Sequence, residues 1–265
     1  MKITTLVENH VSKRDLSAEH GLSFLIENKG RKILFDTGQG KRYAKNALLL
    51  GLDISNVDAL VISHGHYDHI GGLPHFIENN NNAEIILKKE ALFAKHHNDR
   101  YIGVRQTING DNPRFHFINK VTEVIDDVFI VPFVKRYFPD DCHISDFYIN
   151  DGEKVIPDEF DDELFLVLKS EKGISVLSSC SHNGISNMVE TARDYFKLPV
   201  VNVIGGFHLK NSSNNDALQL SKYFNTLKID NVYTGHCTGM EKFFTIQTNF
   251  DGNAFYLETG SFLSI

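Results

Sequence analysis

Between positions 64 and 69 the chain reads His64-Gly65-His66-Tyr67-Asp68-His69, and no other stretch restricts its fold and chemistry so tightly. With 13 His and 20 Asp in 265 residues, chance placement gives an H-x-H-x-D-H pattern in only about two such chains per thousand. His64 and His66, two apart in an extended loop, point to the same side and can hold one cation. Asp68 and His69 project differently and can hold a second beside it. Imidazole plus carboxylate is a borderline-to-hard donor set that suits Zn best, with Fe or Mn also admissible. Two histidines cannot close a coordination sphere, so later parts of the chain must donate.

The donors stand at the ends of apolar runs. Residues 59–63 lead to His64, 174–181 to His182, 200–207 to His208 and 232–235 to His236; a fifth run, 33–35, ends in Asp36-Thr37-Gly38. Strands and helices alternate through both halves. Helices are predicted at 41–50, 184–196, 216–227 and 240–248, and strands at 1–7, 23–27, 32–35, 58–63, 163–169, 174–179, 200–204, 231–234 and 254–257. An α/β layered fold follows. In such folds ligands bind beyond the carboxyl ends of strands, so five polar strand ends imply one convergent site. Helices expected just after His182 and His236 aim unpaired N–H groups at the same place, which favours an anionic group such as phosphate.

Composition excludes other classes. Hydrophobic residues at 42% and charged residues at 23% describe an ordinary globular chain, read as a single domain over 1–265. A net charge of −7 argues against a nucleic-acid partner. No apolar run reaches the ~18–20 residues that cross a bilayer, and the N-terminus lacks an apolar signal region. Three cysteines, Cys142, Cys180 and Cys237, at no ligand-like spacing suit a reducing compartment, so a cytoplasmic setting is expected. Cys180 and Cys237 read as small buried packing residues, with an accessory redox or ligand role as the lesser reading. The segment 93–150 has weak periodicity and reads as an insertion over the site, with short strands at 115–118, 121–125 and 128–133. Within it Tyr101, Arg105, Arg114, Phe115, Phe133 and Arg136 are candidate stacking and phosphate-clamping groups.

The block at 64–69, the strand-end Asp36 and the later His182 and His236, in that order, resemble the metallo-β-lactamase fold superfamily. That resemblance implies an αββα four-layer sandwich with a segment inserted between its halves. It implies a first metal on His64, His66 and His182, a second on Asp68, His69 and His236, and Asp36 behind them orienting the first loop. The superfamily usually supplies a bridging Asp between the last two histidines; here that strand end is Ile204-Gly205-Gly206-Phe207-His208, without a carboxylate. Either the site is built without the bridge or His208 has another role, such as gripping substrate, and one or two ions are both open. Four blocks, 18–23, 180–185, 205–209 and 234–239, together resemble the branch named for the dihydropterin–ribofuranosylaminobenzene-phosphate synthase of methanopterin biosynthesis. The implied reaction joins a dihydropterin methyl diphosphate to a phosphoribosyl-aminobenzene and releases diphosphate. Asp68 and His208 are then the catalytic candidates, with His20 and His208 at the site mouth and Thr238 in the last block as a substrate-binding or supporting residue. The same residues serve a metallo-hydrolase (phosphodiesterase or lactonase) or a non-catalytic metal-dependent binding module. Each reading takes a small, anionic molecule as partner.

Overall fold

The computed structural model describes residues 1–106, 108–150 and 152–265. Its first third runs β1 (Lys2–Val7), β2 (Ser23–Asn28), β3 (Arg31–Phe35), α1 (Arg42–Leu49), β4 (Ala59–Val61), the one-turn α2 (Tyr67–Ile70), α3 (Leu73–Asn79) and β5 (Glu84–Leu87). The middle adds β6 (Ala94–His97), β7 (Arg100–Tyr101), β8 (Phe115–Phe117), β9 (Thr122–Ile125), β10 (Val128–Val131), β11 (Phe147–Asn150) and β12 (Val155–Pro157). Then follow β13 (Phe165–Ser170), β14 (Gly173–Leu177), α4 (Ile185–Phe196), β15 (Val200–Gly205), α5 (Asn214–Leu227), β16 (Asn231–Thr234), α6 (Met240–Asn249), β17 (Asn253–Tyr256) and β18 (Phe262–Ser264).

Alternation along the strands decides the layers, because successive side chains leave a strand on opposite faces. Two seven-stranded sheets form, in the orders β18-β1-β2-β3-β4-β5-β8 and β17-β16-β15-β14-β13-β10-β9. Ile3, Phe24, Ile26, Ile33 and Phe35 of the first face Ile130, Leu166, Leu168, Leu177 and Ile204 of the second. On the first sheet's other face, Leu25, Leu34 and Leu60 pack under Tyr43 and Ala47 of α1 and Leu73 and Phe76 of α3. Val167, Val176, Val203 and Val232 do the same under α4, α5 and α6, through Met188, Ala192, Ala217, Phe224 and Ile246. The result is an αββα sandwich, as expected.

The segment 93–150 divides its strands among three sheets. β8 extends the first sheet as a parallel edge strand, while β9 and β10 extend the second. Ile125, Val128 and Ile130 are buried between the sheets, so the apolar content of 121–131 completes the core. Only β6, β7, β11 and β12 form a separate small sheet, in the order β12-β11-β6-β7. The expected helices are all present within two residues of their limits; a helix ahead of the turn at 79–82 is present as α3, whereas α2 was not foreseen. No helix among the described residues is long and apolar enough to cross a membrane.

β3, β4 and β5 run parallel, as do β14, β15 and β16, so their carboxyl ends open on one side of the sandwich. The end of β15 lies tight against the end of β14. A Cβ on Gly205, whose φ is +118°, would stand 2.0 Å from the Ser178 carbonyl oxygen. Only glycine fits there.

Candidate metal centre

Each strand end turns sharply. Asp36, Ser181, His208 and His236 all hold φ between +50° and +60°, in the left-handed region that non-glycine residues rarely visit. Such strain, of order 1–3 kcal/mol per residue, gathers where side chains must be aimed. The Asp36 carboxylate ties the ends of β3, β4 and β14 to α2. It accepts the Ser63 N–H and the Ser63 hydroxyl, both at 2.7 Å, the Ser179 hydroxyl, and His69 Nδ1 at 2.9 Å.

Partners on one ring nitrogen decide what the other offers. His182 Nδ1 lies 3.2 Å from the His143 carbonyl and His236 Nδ1 lies 3.0 Å from Asn9 Oδ1. Both partners are oxygens that only accept, so each ring donates there and leaves a lone pair on Nε2. His64 Nδ1 meets the Ser63 hydroxyl at 2.8 Å. Nε2 of His64, His66, His182 and His236 is buried and has no hydrogen-bond partner. Each such atom costs about 1–3 kcal/mol if left unmet, so four at one place fit a cation. Burial first, and neighbouring charged or imidazole groups second, hold all four rings well below the usual histidine range, hence neutral and ligand-ready. The donor atoms of His64, His66 and His182 lie within 4.8 Å of one another.

A second group centres on Asp68. Its Oδ2 lies 3.2 Å from His20 Nε2 and 3.6 Å from Nε2 of both His69 and His236. Burial opposes ionisation of Asp68, but His69, His20 and His236 outweigh it and hold the carboxyl well below its usual range. For His69, burial opposes the charge while Asp68 and Asp36 raise it above the ordinary value. Asp68, His236 and His20 offer donor atoms within 4.8 Å of one another, whereas His69 groups instead with His64 and Cys180.

His208 takes part in neither group; its ring lies 4.2 Å from that of His182 and lines the cleft above the cluster. Thr238 stands behind the site. Its hydroxyl accepts the Phe207 N–H at 2.9 Å and shares a 2.6 Å bond with Thr234, fastening the loops after β15 and β16. The cleft is about 310 Å³, walled by Phe147, Tyr67, His97 and His208, with Arg100 and Lys210 supplying positive charge. The guanidinium groups of Arg100 and Arg105 sit 5.6 and 5.5 Å from the centre of the Tyr67 ring.

Other groups expected to grip substrate are engaged elsewhere. Arg114 bonds the Asn80 carbonyl at 2.6 Å, and Arg136 bridges Asn183 and Glu159. Phe115 and Phe133 pack on the two outer cores, and the Tyr101 hydroxyl donates to the Val104 carbonyl. These side chains tie loops together or pack on the outer cores, a demand invisible until strand order is known.

Several positioning groups escaped the sequence reading. Glu8 accepts the His236 N–H, and Asn9 orients the His236 ring. Both follow β1, and the strand-end rule that found Asp36 would have found them. Glu163 accepts the N–H groups of His182 and Asn183, each at 2.7 Å. Asp162 accepts the Gly65 N–H at 2.7 Å and pairs with the buried Lys95, which also meets Asp158 at 2.7 Å.

Asp141 accepts the Ser186 N–H at 2.8 Å in the first turn of α4, yet burial pushes its carboxyl up to about 6 from the usual 3.8. The folded protein thus keeps a proton that the unfolded chain releases, and this group's contribution falls as pH rises from about 4 to about 6. Asp141→Asn is expected to remove that slope. Thermal melts should place the variant above the parent at pH 7, with the gap closing by pH 4.

The chain is an αββα sandwich with clustered imidazoles and a carboxylate at its strand ends, a candidate metal centre. Residues 16–151 match the metallo-beta-lactamase superfamily. The chain belongs to that superfamily. It is 34% identical to an uncharacterized protein of Methanocaldococcus jannaschii, over 90% of this chain and 91% of that one. It is 30% identical to the 7,8-dihydropterin-6-methyl-4-(beta-D-ribofuranosyl)-aminobenzene-5'-phosphate synthase of the same organism, over 91% of this chain and 88% of that one. Among solved structures it is similar to Tm1679, a metal-dependent hydrolase of the beta-lactamase superfamily, with 31% identity, a TM-score of 0.87 and coverage of 100% and 99%.

Proposed function

We propose that this protein is a metal-dependent transferase acting on a small phosphorylated, pterin-type substrate with release of diphosphate. The observation that carries the reading is the convergence of four partnerless imidazole nitrogens beneath a cleft bearing Arg100 and Lys210. His64, His66 and His182 would hold one divalent ion and Asp68, His69 and His236 another, zinc by donor type. A bound ion supplies Lewis-acid stabilisation of charge building on a phosphoryl oxygen. Arg100 and Lys210 bind the anionic groups, and Phe147 and Tyr67 offer flat faces to a heterocycle. Ionised Asp68 orients the attacking group. His208, lowered to about 4 by burial and by His143, stays neutral at pH 7 and accepts a hydrogen bond at the cleft wall. The whole-length similarity to the synthase supports transfer. Three free cysteines fit a cytoplasmic setting, and a net charge of −7 fits a small substrate better than nucleic acid.

A hydrolase reading has its own support in the similarity to Tm1679. One assay separates the two. With zinc supplied, diphosphate release should require both the dihydropterin methyl diphosphate and the phosphoribosyl-aminobenzene, and should stop on chelation. Cleavage of phosphodiesters or lactones with no acceptor present would instead establish the hydrolase. Saturable metal binding with no turnover of either kind would leave a binding module.

A further inference from the structure

A second cavity, of about 420 Å³, adjoins the metal cleft and has the opposite charge. It opens between the loop 138–143, the start of α4, the loop after β15 and α5. His143 lines this cavity and His208 lines the cleft, with 5.2 Å between their ring centres, so a pair of imidazoles separates the two spaces. The backbone of His143 is tied to a candidate metal ligand. Its N–H donates to the His182 carbonyl at 2.7 Å, and its own carbonyl accepts from His182 Nδ1 at 3.2 Å. A molecule seated in the cavity is therefore held one residue away from the metal centre.

The lining specifies what that molecule carries. Leu209 and Leu220 are buried at the cavity wall, and the rings of Phe138 and Tyr223 meet edge to face at 5.4 Å. Asp140, Asp141 and Asp216 add three carboxylates, and among the described residues lining the cavity there is no lysine or arginine. Phosphate is repelled by such a surface. A flat, uncharged ring whose edge bears N–H donors is attracted to it, because carboxylates only accept and aromatic walls pack on ring faces. The volume lies within the about 300–1,000 Å³ usual for small-molecule sites. Two groups at the cavity are short of partners. Asp141 Oδ2 accepts the Ser186 N–H, yet burial first and the charge of Asp216 after it hold the carboxyl up at about 6, so further donors would be gained there. His143 Nε2 is buried with no hydrogen-bond partner.

We propose that this cavity is a substrate subsite for the 2-amino-4-oxopyrimidine edge of a pterin, with Asp141 accepting from the ring N–H and the adjacent amino group. The inference rests on the transferase reading above and divides its diphosphate substrate by charge. The phosphoryl end lies on the side of Arg100 and Lys210, and the uncharged ring lies on the acidic side of the His143–His208 pair. The faces of Phe147 and Tyr67 are then left to the second substrate.

Guanosine presents the same donor edge and adenosine does not, so calorimetry on zinc-loaded protein at pH 7 separates the sources. The probe is 6-hydroxymethyl-dihydropterin, which has no diphosphate to bind the cleft. It should bind one per chain, and adenosine should not bind. Asp141→Asn should weaken the pterin at least about tenfold with zinc content unchanged; this variant is expected to melt above the parent at pH 7, which distinguishes a lost contact from a lost fold. Ser212→Trp, which fills the cavity from the loop after β15, should abolish binding. In the transferase assay, Asp141→Asn should raise KM for the dihydropterin methyl diphosphate by the same factor and leave kcat within about twofold. Pterin binding undiminished in both variants would overturn the subsite and leave the transferase reading standing. Guanosine bound in place of the pterin, and lost in both variants, would uphold the donor-edge site and overturn the transferase reading. Binding of neither ring would overturn the subsite.

Discussion

His66→Ala is expected to bind one metal equivalent fewer per chain and to lose turnover by at least about 10³-fold, roughly 4 kcal/mol of transition-state stabilisation. The His66 ring lies 4.6 Å from that of His64 and 4.8 Å from that of His182, so it forms one corner of the imidazole triad. Its other face stacks on Phe147 at 5.4 Å and meets Phe160 edge-on at 5.4 Å. Alanine removes the donor and some packing together. The comparison that isolates the donor is therefore made with chelated parent protein. Elemental analysis and the diphosphate assay should show the variant no less active than the chelated parent, and chelating the variant should cost it little more. A variant that kept its full metal content would show that the first loop does not bind the ion.

Lys95→Met should cost about 3–5 kcal/mol of folding stability, the usual consequence of leaving buried charge without its partner. Lys95 is 1% exposed and sits between Asp158 at 2.7 Å and Asp162 at 3.0 Å, themselves 3% and 0% exposed. Burial opposes the lysine's charge, but the two carboxylates outweigh it and raise its affinity for the proton. Methionine has similar volume and no charge, so two carboxylates would face each other in the interior. For a chain of this size the loss corresponds to a melting temperature lower by about 10 °C. The same change reaches the centre, because Asp162 holds the Gly65 N–H between the first two histidines. Metal content should fall along with stability, and adding Asp158→Asn should recover part of both. Unchanged denaturation midpoints would mean that the three charges are not coupled as their distances indicate.

How far the sequence spoke depends on whether a feature lies in local order or in tertiary placement. The alternation of strands and helices was legible in the sequence and the four layers followed from the family resemblance; in the structure Phe24, Ile26, Ile33 and Phe35 alternate with Leu25 and Leu34 between two buried faces. Asp36, His64, His182 and His236 were legible because each ends an apolar run, and parallel strands carry such ends to one side. The same rule applied to β1 would have reached Glu8 and Asn9, whose run ends in a carboxylate and an amide rather than a histidine. Lys95, Asp158 and Asp162 gave no local signal, since nothing in their spacing announces that 63 or more residues of chain fold back between them. The segment 93–150 misled for a related reason. Weak periodicity identified β8, β9 and β10 but not β6, β7 or β11, nor the sheets they join, and β9 and β10 joined the main core through Ile125, Val128 and Ile130. Arg100 and Lys210 became recognisable as cleft residues only once the small sheet and the loop after β15 were placed against each other.

Anomalous scattering from crystals grown with zinc tests the central claim most directly. The account predicts a peak within about 2.0–2.1 Å of Nε2 of His64, His66 and His182. Anomalous maps with no peak there, and those three nitrogens each hydrogen-bonded to water or protein, would contradict it.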